Sequence, residues 1–238
     1  MVIYSHTYFP ARAACRFYLR PYGTPSGGVI FKDWETTPKT ITAGGAVANS
    51  TTKIKFDPCS IAVPGASGDY LDAGVAADWK FLHNGANYTF SSWVAPTDFT
   101  GSHTIFSTYD STVNAVGAMV IILSNRSILW QMRGGLGSAP LTLLSDAGAY
   151  PNDANWHNVI GRLDYTGTGN AIVYVDGVPV KTQAKSADAV STGNPQHTLR
   201  IGNIPIYPLP MLGYIDGLVL WERLLSIGEI FPQTRRFA

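Results

Sequence analysis

From Cys15 onward the chain alternates short apolar runs with clusters of Gly, Pro, Asn and Asp, and no run sustains the 3.6-residue period of an amphipathic helix. CRFYLR (15–20), VIFKDW (29–34), IKF (54–56), SIAV (60–63) and DYL (69–71) are strand-sized and bounded by turn residues. YTFSSWV (88–94), TIFS (104–107), AMVIIL (118–123), ILWQM (128–132) and LTLL (141–144) continue the series. The unbroken apolar run at 118–123 predicts a strand covered on both faces. The strongest local signal is AIVYVDGVPV (171–180). Its Asp176-Gly177 pair between β-prone halves predicts a two-residue hairpin, because both turn residues need φ > 0. KTITAGGAVANSTTK (39–53) reads as a long polar connection. One helix start is visible, the capping box Ser226-x-x-Glu229, which predicts a short C-terminal helix ended by Pro232.

More than about ten short strands without crossover helices predict an all-β fold, a two-sheet antiparallel jelly-roll sandwich with one short C-terminal helix. No repeat of about 20–50 residues is present, which disfavours a propeller or solenoid. Residues 1–14 read as an N-terminal arm, with Tyr4, Tyr8 and Phe9 unpatterned and Pro10 interrupting any element; 15–232 read as the sandwich and 233–238 as a tail.

Composition narrows the function. The 24 Gly and 15 Pro are spread in short clusters, as turns of a β protein require, and not gathered in a low-complexity tract. A net charge of +1 with no concentrated Lys/Arg patch argues against a nucleic-acid partner. No apolar run reaches the length that spans a bilayer, and the opening MVIYSHTYFPARAAC lacks the basic-then-apolar order of a secretory signal, so a soluble chain without membrane insertion is expected. Cys15 and Cys59 make no disulfide framework and read as buried thiols.

WHNV (156–159), LRIGN (199–203), GYIDGLVL (213–220) and LSIGEI (225–230), in that order around the hairpin, resemble the C-terminal half of laminin-G-like domains of the concanavalin A-like lectin/glucanase superfamily. STTKIKF (50–56), SIAV, GASGDYL (65–71) and YTFSSWV are similar to laminin-G-like proteins of tailed-bacteriophage particles, so the resemblance reaches from about residue 15 to residue 231. It implies a non-catalytic virion structural protein, a capsid decoration or a fibre or tail-associated subunit, at the virion surface. Its partners would be other shell proteins and copies of itself, with glycan adhesion as an added role. The alternative is a free carbohydrate-binding module or lectin, and a glycoside hydrolase ranks below both. Family members hold a structural calcium, for which Asp33 and Asp216 are the candidates, while Arg20-Pro21 departs from the family's early acidic position. Otherwise no cofactor is expected.

The residues themselves weigh against hydrolysis, which needs two facing carboxylates. Glu35, Glu222 and Glu229 are the only glutamates, and none stands in a Glu-x-Asp-x-Glu strand. The five histidines are dispersed, and no nucleophile elbow, phosphate loop or Cys-x-x-Cys pair occurs. Sugar binding needs an aromatic face with a few polar partners; Tyr109, Asp110 and Asn114 in the loop before 118, and Tyr207 in the proline-rich loop 203–211, are the candidates. Tyr4, Tyr8, Phe9, Ile206 and Leu209 are the expected assembly contacts, because an unpatterned arm and an apolar surface loop suit a protein neighbour.

Overall fold

The computed structural model describes residues 13–22, 26–56, 58–109, 116–135, 140–167, 169–185, 190–205 and 207–230. Sixteen strands follow one another: β1 Cys15–Pro21, β2 Phe31–Asp33, β3 Ile41–Gly44, β4 Ala48–Ser50, β5 Ser60–Pro64, β6 Tyr70–Ala73, β7 Tyr88–Pro96, β8 His103–Ser107, β9 Val116–Ile122, β10 Ile128–Gly134, β11 Leu141–Leu144, β12 His157–Leu163, β13 Asn170–Val175, β14 Val178–Ala184, β15 Leu199–Ile201 and β16 Leu212–Trp221. A 3-10 helix, Ala76–Leu82, precedes β7, and helix α1 spans Ile227–Ile230. The larger sheet runs β14-β13-β12-β7-β16-β1-β2, with β5 also on β16 and β4 on β5; the smaller runs β11-β10-β9-β8-β15-β6-β3. All pairings among the described residues are antiparallel, so the expected jelly-roll sandwich is the fold.

Alternation builds the core. On β7, Tyr88, Phe90 and Val94 face Trp130 and Met132 of β10, Val120 and Ile122 of β9 and Phe106 of β8 in one buried cluster. Phe90 sits at its centre, edge-on to Phe106 at 5.3 Å and to Trp130 at 5.2 Å. Trp130 Nε1 donates to the Tyr88 hydroxyl at 3.0 Å, which satisfies two polar atoms that burial would otherwise strand.

The hairpin forms as its turn residues require: Asp176 has φ 48° and Gly177 φ 82°, between β13 and β14. The capping box closes as well, with Glu229 N–H donating to Ser226 Oγ at 3.2 Å and Ser226 N–H to Glu229 Oε2 at 2.8 Å. Strand β9 is buried on both faces, as its continuous apolar run predicts. Pro232 lies outside the described residues.

Three expectations fail. The polar stretch 39–53 contains β3 and β4, which are short edge-side strands whose ladders override weak propensity. IKF (54–56) is not a strand but a segment laid over the larger sheet. The 3-10 helix has no sequence period to betray it; it is placed by what it buries, Trp79, Phe81 and Leu82. Trp79 Nε1 donates to the Ala73 carbonyl at 2.9 Å and its ring meets Phe17 edge-on at 5.4 Å. Among the described residues Cys15 and Cys59 are unpaired thiols; Cys59 is buried and Cys15 half-buried.

Gly161 on β12 stands opposite Phe90 on β7, and a Cβ there would lie 2.0 Å from Phe90 Cε1. The ring cannot move, because Phe106 and Trp130 hold its edges. Gly161→Ala is therefore expected to destabilise the fold by about 1–3 kcal/mol, read as a lower denaturation midpoint in urea with an unchanged slope.

Candidate functional site

The smaller sheet presents one cross-strand row on its outer face, in register through all seven strands: Thr42, Asp72, Arg200, Ser107, Met119, Gln131 and Thr142. Such a row would seat an extended ligand if it were open. Its end residues Thr42 and Thr142 are exposed, but the row is closed between them. Arg200 forks onto Asp72 with two 2.9 Å bonds and lies 3.7 Å from the Tyr70 ring centroid. The centre is filled by Tyr109, fully buried with Met119, Ile121 and Ile204, its hydroxyl donating to Gln131 Oε1. Leu209 packs on the same cluster, and its carbonyl accepts from Thr104 N at 3.2 Å and Thr104 Oγ1 at 2.7 Å.

Two expectations change accordingly. Tyr109 offers no ring face to a sugar; burial also pushes its hydroxyl well above the ordinary tyrosine value. In the proline-rich loop 203–211, Ile204 is buried and Leu209 half-buried against this sheet, while Met211 enters the core between the sheets, so these residues form a cover and not a free patch. Tyr207 stands out from the loop, 61% exposed. Asp110, Asn114, Ile206, Tyr4, Tyr8 and Phe9 lie outside the described residues.

The calcium candidates are engaged separately. Asp33 accepts from the backbone N–H groups of Tyr18 (3.0 Å), Glu35 (3.2 Å) and Lys39 (2.9 Å), with the Lys39 ammonium at 3.9 Å. Asp216 accepts from Phe56 N–H at 2.9 Å. Each carboxylate organises a loop, and among the described residues no group of three or more His, Cys, Asp or Glu side chains could hold a metal ion.

The outer face of the larger sheet is different in kind. Its β1 side is covered: Val219, Trp221, Ile160 and Tyr174 lie under Leu225 and Ile230 from the α1 segment. Farther along the same strands the cover is partial. Tyr214 of β16 pairs with Ala95 of β7, and Trp156, the residue before β12, meets the Tyr214 ring at 6.4 Å and 61°. In the next row Asn158 and Asp216 flank Trp93. Trp93, Trp156 and Tyr214 are all half-buried, although alternation puts them on the face that carries Ser91 and Asn158. Segment 51–56 crosses this face. The Lys53 ammonium donates to the Ala154 carbonyl, the Lys55 ammonium sits 3.7 Å from the Trp93 ring centroid, and Phe56 meets Trp93 edge-on at 6.3 Å. The guanidinium of Arg20 lies 5.6 Å from the Phe56 ring centroid.

Beneath this cover Asp216 is fully buried, and desolvation pushes its carboxyl up to about 7, against the opposing pull of the Phe56 N–H and the Arg20 charge. Lys55 is lowered by burial, an effect partly offset by Asp176 and Asp216. The Trp156 indole N–H is buried without an acceptor among the described residues, which costs that ring part of its stabilisation where it stands. The arrangement is two aromatic rings on the sheet and a third, Trp156, on the loop entering β12, rimmed by ammonium and carboxylate groups: a surface for stacking and hydrogen bonding. Sequence reasoning missed it, although an aromatic at the polar phase of an alternating strand is a readable mark.

A two-sheet β-sandwich with an aromatic, polar-rimmed face and strands closed by loops defines a lectin-like domain. Residues 65–231 match the profile described as the concanavalin A-like lectin/glucanases superfamily, in its laminin-G form. The chain belongs to that superfamily. Strands β1–β5, which precede the matched span, complete the same two sheets. No curated protein sequence matches the chain. Among solved structures the chain is similar to the receptor binding domain of botulinum neurotoxin D (TM-score 0.69, 16% identity, 94% of this chain and 52% of that one). It is likewise similar to a botulinum neurotoxin DC binding domain in complex with SialylT (TM-score 0.66, 12% identity, 95% and 52%). The chain spans about half the length of these solved chains, and at such identities the likeness is one of fold.

The buried Asp216 makes a pH signature. Its folded value, about 7, lies above the ordinary carboxylate value of 3.8, so between these values the folded state holds a proton that the unfolded state has lost. Stability from this residue therefore falls as pH rises from about 4 to 7. Asp216→Asn is expected to remove that fall, measured as the pH dependence of urea unfolding.

Proposed function

We propose that this chain is a non-catalytic glycan-binding adhesion domain whose binding surface is the outer face of the larger sheet around Trp156, Tyr214 and Trp93. The observation that carries this reading is the placement of three half-buried aromatic rings, with Lys55 and Asp176 at their rim: Trp93 and Tyr214 on strands fixed by the sheet, and Trp156 on the loop that enters β12. Sugars bind through apolar ring faces and a few polar partners, and this surface supplies both. Among the similar solved structures, one botulinum neurotoxin binding domain is in complex with SialylT, the cell entry of botulinum neurotoxin type C depends on two ganglioside molecules, and a third binding domain is in complex with rat synaptotagmin II. Exposed Tyr207 on the opposite side is a second, smaller contact in this reading.

A binding role fits the carboxylates better than hydrolysis does. Glu222 pairs with Arg16, Glu229 is bound in the helix cap and to Arg223, and Asp72 is held by Arg200. No two of these are joined across an open cleft, and the row where a polysaccharide would lie is filled by Tyr109 and Leu209.

The setting we propose is a bacteriophage particle, with residues 15–232 displayed as a decoration or fibre-associated domain and arm 1–14, through Tyr4, Tyr8 and Phe9, docking on shell proteins. This part rests on the sequence resemblance. Locating the protein in purified particles tests it, and incorporation of a chain lacking residues 1–14 would overturn the role of the arm.

For the binding surface, Trp156→Ala and Tyr214→Ala are each expected to weaken retention on a responsive glycan in an array by about tenfold or more, with unchanged far-ultraviolet circular dichroism. Retention that survives both substitutions would move the site elsewhere; no glycan retained by the intact domain would overturn the reading.

A further inference from the structure

His157 opens β12 directly after Trp156, and its ring lies between two carboxylates. Nδ1 is 2.6 Å from Asp176 Oδ2 and Nε2 is 2.8 Å from Asp153 Oδ1. Carboxylates only accept, so both contacts are hydrogen bonds when the imidazole carries a proton on each nitrogen. A neutral ring has one N–H, and its other nitrogen would turn a lone pair toward an anion. The two carboxylates come from different elements: Asp176 from the β13–β14 turn, Asp153 from loop 151–156, which carries Trp156.

We propose that His157 is a pH-controlled latch that fastens loop 151–156 to the β13–β14 turn and so sets the position of Trp156 in the binding surface. With the ring protonated, both bonds are made and the loop is closed. On loss of a proton to solvent, one bond is lost, and Asp153 is the partner that leaves. Asp176 is held independently, because its Oδ1 accepts from Asn158 N–H at 2.9 Å and its own N–H donates to the Asn158 carbonyl at 2.9 Å. Asp153 binds the Asn155 N–H at 2.8 Å, within its own loop. The loop, still held at Ala154 by Lys53, then shifts Trp156 relative to Tyr214, with no acceptor on the indole N–H to hold that ring.

The other titratable groups around the latch are known. Tyr150 stacks edge-on to His157 at 5.3 Å, and burial with the two nearby carboxylates raises its hydroxyl above the ordinary tyrosine value. Lys55 faces Asp176 from the crossing segment, Lys53 holds the Ala154 carbonyl, and Asp216 lies beyond Lys55. The directions at the latch agree with the geometry. The hydrogen bond to Asp176 raises His157 above its ordinary 6.5 against its own burial; bonds to His157 lower Asp153, and with the Asn158 N–H outweigh desolvation to lower Asp176, below 3.8. The stability contributed by His157 is thus fully present below pH 6.5 and lost as pH rises through its raised value. That from Asp153 and Asp176 is present above about 3.8 and lost as pH falls through their lowered values. The latch is closed between these limits.

The test is nuclear magnetic resonance of the whole domain from pH 5 to 9. The His157 ring is expected to be protonated on both nitrogens at pH 6 and to titrate above 6.5, and the Trp156 indole resonance, assigned with Trp156→Phe, is expected to move with the same midpoint. That movement should vanish in His157→Gln and in Asp153→Asn, the second variant guarding against misfolding of the first. A His157 midpoint at or below 6.5 overturns the proposal. So does a Trp156 shift that persists in His157→Gln, and its loss in Asp216→Asn would then assign it to Asp216. The consequence for ligand rests on the proposed function: glycan retention should fall at least about threefold between pH 6 and 9 in the intact domain and stay level in His157→Gln. The resonance measurements need no glycan, so a domain that binds none defeats the binding reading while leaving the latch to stand or fall by its titration.

Discussion

Strand β16 is the constraint on which the rest of the larger sheet depends. It pairs with β7 on one side and with β1 and β5 on the other, so within the larger sheet it alone joins β1, β2, β4 and β5 to β7 and β12–β14. A strand in that position is buried on both faces, and GYIDGLVL must then place a carboxylate where water does not reach. The ladder to β7 slips between Asp216 and Val219, at a bulge where Gly217 has φ 59°. The bulge lets Ile215 and Leu218 both enter the core while Asp216 turns to the outer face. Phe56 packs on the resulting surface: a Cβ at Gly217 would lie 2.9 Å from its ring. One irregularity in one strand thus decides where segment 51–56 lies, and through Lys55 which ring of the outer face is shielded.

What was legible in the sequence was legible for local reasons. Asp176-Gly177 and Ser226-x-x-Glu229 carry their own geometry, since turn and cap are completed within a few residues. The alternation of YTFSSWV gave the core positions Tyr88, Phe90 and Val94. Partners distant in the chain were not legible. Asp69, at the head of the run DYL, accepts from Ala46 N–H at 2.8 Å and Ala66 N–H at 2.7 Å and so staples two turns together. Tyr109 seemed exposed because its loop is polar, and it is buried because a loop almost a hundred residues later folds over it. The aromatic face went unread for the opposite reason. Trp93 and Tyr214 were counted as generic strand residues, when their phase, shared with Ser91 and Asp216, already set them outside the core.

The two outer faces divide the labour of the sandwich. The smaller sheet closes the middle of its outer polar row with Tyr109, Ile204 and Leu209, and so gives up that row as a track for an extended ligand. The larger sheet keeps part of its outer face accessible: Leu225 and Ile230 cluster with Ile160, Tyr174, Val219 and Trp221, and Tyr214 stands outside that cluster, half-buried.

A sheet face with three half-buried rings, one of them partly shielded by Lys55 and Phe56, offers few polar partners, so a single domain that grips a sugar there leaves most of the ligand in water. Such a contact is weak, because binding must first offset the lost freedom of ligand and loop before any surplus appears. Weak sites are effective when copies act together, and linked copies can exceed the affinity of one by about 10²–10⁴ without any new contact. The proposed display of many copies on one particle and the shallowness of the face are thus two sides of one argument. A surface suited to multivalent adhesion needs rings that are positioned, and the latch at His157 is the device that positions the outermost of them.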